Sequence, residues 1–122
     1  MILVDTSIWA DHLRRADAAL TMCLERETVL MHPFVIGELA MGNFPKRDVI
    51  LDTLRWLPAA FVATNDEVLR LIDFADLAGS GVGYIDAHLL ASTRLTPGAW
   101  LASRDRRLQA AAARLGLAAD LG

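Results

Sequence analysis

The sequence predicts an α/β fold in three layers, with helices on both faces of a central parallel sheet of four to five strands. The chain opens on the unbroken apolar run Ile2-Leu3-Val4, which is typical of a strand covered on both faces. Further short apolar runs then alternate with longer segments whose apolar residues recur at helical spacing. Such alternation implies crossover connections and therefore a parallel sheet.

Length and composition indicate a single domain over residues 1–122 with a substantial core. The hydrophobic fraction of 54% excludes a disordered chain. No apolar run approaches the roughly 20 residues of a membrane span, and no signal peptide is recognisable, so we expect a cytoplasmic protein without a membrane segment. A single cysteine, Cys23, cannot form an internal disulfide and is expected to be a small buried hydrophobe.

Two strands and four helices are predicted in the first half of the chain. The strands cover residues 2–4 and 28–31. The helices cover residues 7–15, 17–27, 33–42 and 45–57. Thr6 or Ser7 is expected to cap the first helix, and Asp17 lies near the start of the second. Proline suits the first helical position, which explains Pro33 and Pro45 at the start of the other two.

The second half is predicted to complete the sheet and to add three helices. The strands cover residues 61–63, 99–102 and, as a short edge strand, 117–119. The helices cover residues 64–75, 84–94 and 105–115. Thr64 and Glu67 have the spacing of a capping box. The helix over 84–94 is apolar nearly all round and should be buried, and Trp100 is expected in the core.

Four of the 15 acidic residues lie where neither a solvated face nor a helix start is a sufficient explanation. Asp5 ends the first strand, and Asp105 follows the strand over 99–102. Glu38 interrupts the apolar helix FVIGELAMG, and Asp86 lies in the first turn of the predicted buried helix. Since the carboxyl ends of parallel strands and the helices that follow share one edge of the sheet, these carboxylates can converge there.

Converging carboxylates repel one another, and a divalent cation removes that cost. Ligands that are all oxygen favour Mg²⁺ or Mn²⁺ over Zn²⁺. Two such ions about 4 Å apart could activate a water and stabilise the leaving oxygen of a phosphoryl displacement. A net charge of −3 is not typical of a nucleic-acid-binding domain, but bound cations would reverse the local charge.

Each of the four acids also has a simpler interpretation. Asp5 could be an Asx cap of the first helix, and Asp105 the N-cap of the last. Glu38 could pair with an arginine. Asp86 could gain from the helix dipole alone. The prediction of a metal site fails only if all four of these simple interpretations are correct.

Four segments resemble the PIN-domain ribonucleases of the VapC toxin type, from bacterial toxin–antitoxin pairs. They are VDTSIW, HPFVIGELAMGN, GYIDAHLLAS and LASRDRRL, and their order and spacing follow the family pattern over essentially the whole chain. The resemblance implies a PIN-like, Rossmann-like fold. It also implies that Asp5, Glu38, Asp86 and Asp105 form the acidic metal site, with Asp5 and Asp86 as direct ligands.

The resemblance extends to supporting residues, activity and partners. Ser7 would orient the first acid, and Ser103 stands where the family often has threonine, which keeps the hydroxyl. The implied activity is that of a Mg²⁺- or Mn²⁺-dependent endoribonuclease that cuts RNA with metal-activated water. The implied partners are RNA, a small cognate antitoxin of the VapB type and a second copy of the chain, in a homodimer and in toxin–antitoxin hetero-oligomers.

Arginines, tryptophans and histidines near these segments have two interpretations each. Eleven of the 12 basic residues are arginine, and Arg104, Arg106 or the adjacent Arg107 could bind an RNA phosphate or form a solvated helix start. Trp9 and Trp56 could stack on bases, and Trp9 could instead line a groove for an antitoxin helix. The three histidines lack zinc-site spacing and are expected to be structural or on the surface.

Two rival functions remain open at the level of sequence. One is a catalytically inactive module that binds metal or RNA without cutting it. The other is a receiver-like domain that uses Asp5 as a covalent phosphate acceptor. The second lacks a neighbouring acid in a DxD arrangement, and Lys46 is the only lysine in the chain.

Overall fold

A computed structural model describes residues 1–121 and places β1 (Ile2–Val4) at the centre of a parallel sheet. β2 (Val29–Leu30) lies on one side and β3 (Trp100–Ala102) on the other. Leu3 is aligned with Leu30 and with Leu101 in this register. Leu3 and Val4 point to opposite faces of the sheet and have no exposed surface, so this part of β1 is covered on both faces as expected.

Seven helices surround the sheet within the described part of the chain. They are α1 (Thr6–Arg14), α2 (Ala18–Glu25), α3 (Pro33–Ala40), α4 (Arg47–Leu54), α5 (Asn65–Phe74), α6 (Tyr84–Leu95) and α7 (Arg106–Arg114). Thr64 and Glu67 form the predicted capping box at the start of α5. Seven consecutive residues of α6, 87–93, are buried, which confirms the predicted buried helix. The predicted α/β fold with a parallel sheet is confirmed.

The predicted number of strands, four to five, is wrong, because the described residues form three. Residues 61–63 form no strand, and Phe61 N donates instead to Thr96 Oγ1 at 2.9 Å. A single bridge two residues earlier pairs Ala59 with Met31. At the other edge Ala118 makes only a single bridge to Leu101. Each edge segment thus pairs at one position, too few to form a strand.

Three further expectations are corrected. Trp100, predicted in the core, lies at the amino end of β3 and is 47% exposed; burial begins at Leu101. Cys23 is half-buried and packs against the edge of the core. The N-cap position of α1 is occupied by Asp5 rather than Thr6 or Ser7, because the helix follows β1 without a linker.

The connections at the carboxyl edge of the sheet are short, and this positions the candidate site. α1 begins two residues after β1 ends, and α7 begins four residues after β3 ends. Asp5 N donates to Ala102 O at 2.9 Å, which ties the two strand ends together. In the described chain, no helix combines the length and the apolar character that crossing a membrane requires.

Candidate active site

Asp5 is a buried carboxylate at the carboxyl end of the central strand, with 4% of its surface exposed. Although it occupies the N-cap position of α1, its side chain makes no capping hydrogen bond. Its Oδ2 atom accepts instead from Ser7 Oγ at 2.8 Å and from Ser103 Oγ at 2.7 Å. Oδ1 accepts no hydrogen bond from the described residues. The simple interpretation of Asp5 as an Asx cap is therefore wrong, and one oxygen is available to a ligand.

The two serine hydroxyls that hold Asp5 are themselves held by the loop between β3 and α7. Ser7 Oγ accepts from Arg104 N at 3.0 Å, and Ser103 Oγ accepts from Asp105 N at 3.0 Å. Each hydroxyl has one proton and donates it to Asp5. The network therefore fixes the orientation of the Asp5 carboxylate from both sides.

Asp86 lies in the first turn of α6 and is half-buried. Burial, and then repulsion from Asp5, Asp105 and Glu38 in that order of importance, together raise the pKa of Asp86 from 3.8 to about 6. These effects require that Asp5, Asp105 and Glu38 each lie within electrostatic range of Asp86. The structure thus brings the four predicted acids into one electrostatic neighbourhood.

Glu38 and Asp105 are the two exposed members of this group of four acids. Glu38 Oε1 accepts from Thr6 Oγ1 at 2.8 Å, and among the described residues it pairs with no arginine. Asp105 is the N-cap of α7, and its Oδ1 accepts from Arg107 N at 2.9 Å and Leu108 N at 3.1 Å. The capping interpretation of Asp105 is confirmed. It uses one oxygen and leaves Oδ2 without a hydrogen bond from the described residues.

No basic side chain in the described chain neutralises these four acids. The five ion pairs that occur there join arginines to other acids: Asp11, Asp17, Asp48 and Asp52. An uncompensated group of oxygen donors with repelling charges suits a hard divalent cation. The described residues contain no group of three potential ligands arranged around a common ion position, and Mg²⁺ is typically held by only one or two carboxylates with waters.

Arg104 occupies a position that sequence reasoning did not foresee. Its Nη1 donates to Asp11 Oδ2 at 2.8 Å, and its Nη2 is paired with Asp17 Oδ2. Hydrogen bonding from Arg104 holds the pKa of Asp11 below its usual value. The pKa of Asp17 is also lowered, first by Leu20 N and then by Arg104. A residue predicted as a phosphate contact thus joins the β3–α7 loop to α1 and to the N-cap of α2.

The histidines and Trp9 are structural in this arrangement. His32 has no exposed surface; its Nδ1 accepts from Phe34 N, and its Nε2 lies 3.0 Å from Ser92 Oγ. Burial lowers the pKa of His32 to about 4, so the ring is neutral at neutral pH. Trp9 is only 1% exposed, so in this conformation its ring is not available to stack on bases or to contact an antitoxin, as had been predicted.

Comparison with known proteins agrees with the architecture. Residues 2–114 match the PIN domain. The chain is similar to two curated proteins of Mycobacterium tuberculosis, each called Ribonuclease VapC32, from strains CDC 1551 / Oshkosh and ATCC 25618 / H37Rv. Each is 52% identical over 118 residues, which cover 97% of this chain and 95% of the relative.

Proposed function

Because the chain belongs to the PIN-domain family, we propose that it is a VapC-type toxin that acts in the cytoplasm as a Mg²⁺- or Mn²⁺-dependent endoribonuclease. The observation that carries the proposal is the group formed by Asp5, Glu38, Asp86 and Asp105. These acids share one electrostatic neighbourhood and have no cationic partner among the described residues. The name of the 52% identical relatives supports the choice of RNA as substrate.

In this proposal Asp5 and Asp86 are direct metal ligands, and Glu38 and Asp105 complete the acidic set. A bound divalent ion would supply the Lewis acidity that activates water and stabilises the leaving oxygen of the phosphodiester. Ser7 and Ser103 hold Asp5 Oδ2, so that Oδ1 is presented in a fixed orientation. Hydrogen bonds of this kind to a metal ligand set the affinity of the site by limiting the movement of that ligand.

Arginine supplies the attraction for the RNA backbone. Arg106 is exposed at the first position of α7, beside Asp105, and makes no ion pair within the described chain, so we assign it a phosphate contact. Arg104 is less suited to that role, because a phosphate must compete with Asp11 and Asp17 for its guanidinium.

The proposal includes a cognate antitoxin and self-association. Both follow from the VapC resemblance, and exposed apolar side chains support them. Trp56 and Met41 are each 89% exposed, and Phe74 is 70% exposed, which leaves apolar surface for partners to cover. Light scattering of the purified chain, alone and with the product of a small neighbouring gene, tests both expectations.

RNA cleavage with and without metal tests the enzymatic part. We expect structured RNA to be cut in Mg²⁺ or Mn²⁺ and to stay intact in EDTA, and the Asp5→Ala and Asp86→Ala variants to be inactive. Cleavage that survives both the chelator and the two substitutions would overturn the proposal. Metal binding by calorimetry without turnover on any RNA would favour the inactive binding module.

A further inference from the structure

A cleft rich in arginine lies between α7 and the glycine-containing loop over residues 79–83. Its volume is about 250 Å³, and its lining includes Ser80, Arg106, Arg107 and Arg114. No acidic residue lines it. We call it the arginine cleft. The cleft is positively charged, whereas the four acids of the candidate active site are negatively charged. The cleft therefore suits an anionic part of a ligand, and the acids suit a cation.

Both walls of the arginine cleft lead directly into the candidate active site. The loop over residues 79–83 continues into α6, where Asp86 lies in the first turn. The other wall is the start of α7, and there Arg107 N donates to Asp105 Oδ1 at 2.9 Å. The end of the cleft at Arg106 and Arg107 therefore adjoins Asp105, the N-cap of α7.

The arginines of the cleft form no ion pair with acidic residues of the described chain. Arg106, Arg107 and Arg114 take part in none of the ion pairs of the described chain, unlike Arg14, Arg47, Arg55 and Arg104. Arg114 Nη2 donates to Ala75 O at 3.2 Å, which uses only one of its five donor hydrogens. All three arginines are exposed. Their remaining donors are free to bind an anion.

The side chain of Arg107 packs closely against the backbone of Gly81. Gly81 has a φ of +86°, and a Cβ atom at this position would lie 2.7 Å from Arg107 Cδ and 2.8 Å from Arg107 Nη1. The arginine side chain therefore rests directly on the Gly81 backbone. The absence of a side chain at position 81 therefore leaves the space that Arg107 occupies in the cleft.

The spacing of the arginines favours an extended anion over a small one. Arg107 and Arg114 are seven residues apart on α7, so they share a face and lie about 10 Å apart along the helix. At that spacing the two long side chains can reach different phosphates of one extended strand. A strand with repeating phosphates satisfies both.

We propose that the arginine cleft binds the backbone phosphates of the RNA strand that flank the bond to be cut, with Arg107 and Arg114 as the principal contacts. This inference rests on the proposed function. Contacts of this kind position the strand and carry no sequence information. The cleft thus contributes affinity for any RNA, and the base preference of the enzyme is set elsewhere.

The test measures binding of a fluorescent single-stranded RNA of random sequence to the Arg107→Gln and Arg114→Gln variants and to the double variant. Binding is measured in EDTA over a series of salt concentrations. Arg26→Gln is the matched control, because Arg26 is exposed and lies three residues before β2, at the opposite edge of the sheet. The logarithm of the binding constant decreases as log salt rises. We expect the magnitude of this negative slope to decrease by about 0.7 for each lost contact and by about 1.4 for the double variant. The control slope should not change.

Two additional measurements keep the result interpretable. Arg107→Lys and Arg114→Lys keep the charge and should retain most of the salt dependence, and thermal unfolding shows whether each variant is folded. With Mg²⁺ or Mn²⁺ present, the glutamine variants should cleave RNA with a raised KM. If the unaltered chain cleaves RNA and the variants match Arg26→Gln in both slope and KM, the arginine cleft is not an RNA site. If the unaltered chain neither binds nor cleaves RNA, the proposed function fails, and the cleft proposal fails with it.

Discussion

Ser103 Oγ donates a 2.7 Å hydrogen bond to Asp5 Oδ2, although 98 positions separate the two residues in the chain. The same hydroxyl accepts from Asp105 N at 3.0 Å. One side chain therefore connects the acid at the end of the central strand to the loop that carries the last acid. This connection gives Asp5 a single orientation in the free protein.

Removing the hydroxyl should weaken the metal site without unfolding the chain. Ser103→Ala deletes the donor to Asp5 Oδ2 and should reduce metal affinity or RNA cleavage by about 10- to 100-fold, as is typical when a hydrogen bond to a metal ligand is lost. Ser103→Thr keeps the hydroxyl and should be close to the original. Calorimetry with Mn²⁺ and cleavage rates check both. Thr53→Ala, which removes an exposed hydroxyl on α4, is the control, and equal effects of the two alanine variants would contradict the role of Ser103.

The raised pKa of Asp86 predicts how stability depends on pH in the metal-free protein. The folded protein binds this proton more tightly than the unfolded chain, so the Asp86 contribution to stability should fall as the pH rises from 3.8 to about 6. His32, with its pKa lowered to about 4, acts in the opposite direction over an overlapping range. The difference in Tm between the original chain and Asp86→Asn isolates the first effect.

The Asp86→Asn variant should therefore have the higher Tm in EDTA above pH 6, and its advantage should disappear towards pH 4. Scanning fluorimetry at several pH values provides the measurement. Asp52→Asn serves as the control, since Asp52 is an exposed acid paired with Arg55. If the difference in Tm between the Asp86→Asn variant and the original chain does not depend on pH, burial and repulsion of the Asp86 carboxylate are not the cause of that difference.

Binding of a divalent ion should stabilise the folded chain through Asp5. An ion at about 100 times its Kd contributes roughly 2.7 kcal/mol to the free energy of unfolding. Mg²⁺ or Mn²⁺ should thus raise the Tm, EDTA should reverse the change, and Asp5→Asn should reduce it strongly. A rise of equal size in Asp5→Asn would place the bound ion elsewhere.

Arg104 is expected to affect stability more than RNA affinity. Arg104→Gln removes its ion pairs with Asp11 and Asp17 and should lower the Tm, and added salt should narrow the difference because these pairs are solvent-accessible. RNA affinity, measured where both proteins are folded, should change less than in Arg107→Gln. A larger loss of RNA affinity in Arg104→Gln, at unchanged Tm, would instead make Arg104 a phosphate contact.

Two glycines of one loop offer a matched pair of substitutions. Gly79 and Gly81 both have positive φ, +76° and +86°, so alanine costs about 1 kcal/mol or more at either position. At Gly79 the new Cβ meets no atom within 4 Å, whereas at Gly81 it collides with Arg107. Chemical denaturation should find Gly81→Ala the more destabilising of the two. Adding Arg107→Ala should remove most of the difference, and a difference that persists would contradict the contact.

The alternation of strands and helices could be predicted from local sequence because burial and helix capping act over a few residues. The apolar run 2–4, the capping box of Thr64 and Glu67 and the buried helix over 84–94 are all local patterns, and the structure contains them. The unusual positions of the four acids were also visible, since a carboxylate that follows a buried strand or enters an apolar helix breaks a local pattern.

The sequence by itself thus determined the class of fold and the acids that lie near each other. Only the tertiary structure decided how many strands form, since strand pairing at Ala59 and Ala118 depends on hydrogen bonds to distant segments. It also decided that Arg104 binds Asp11 and Asp17, which are 93 and 87 residues away. The physical reason is that the orientation of side chains at the carboxyl edge of the sheet depends on which loops contact each other there. The periodicity of the sequence is a local property and does not indicate which distant loops are in contact.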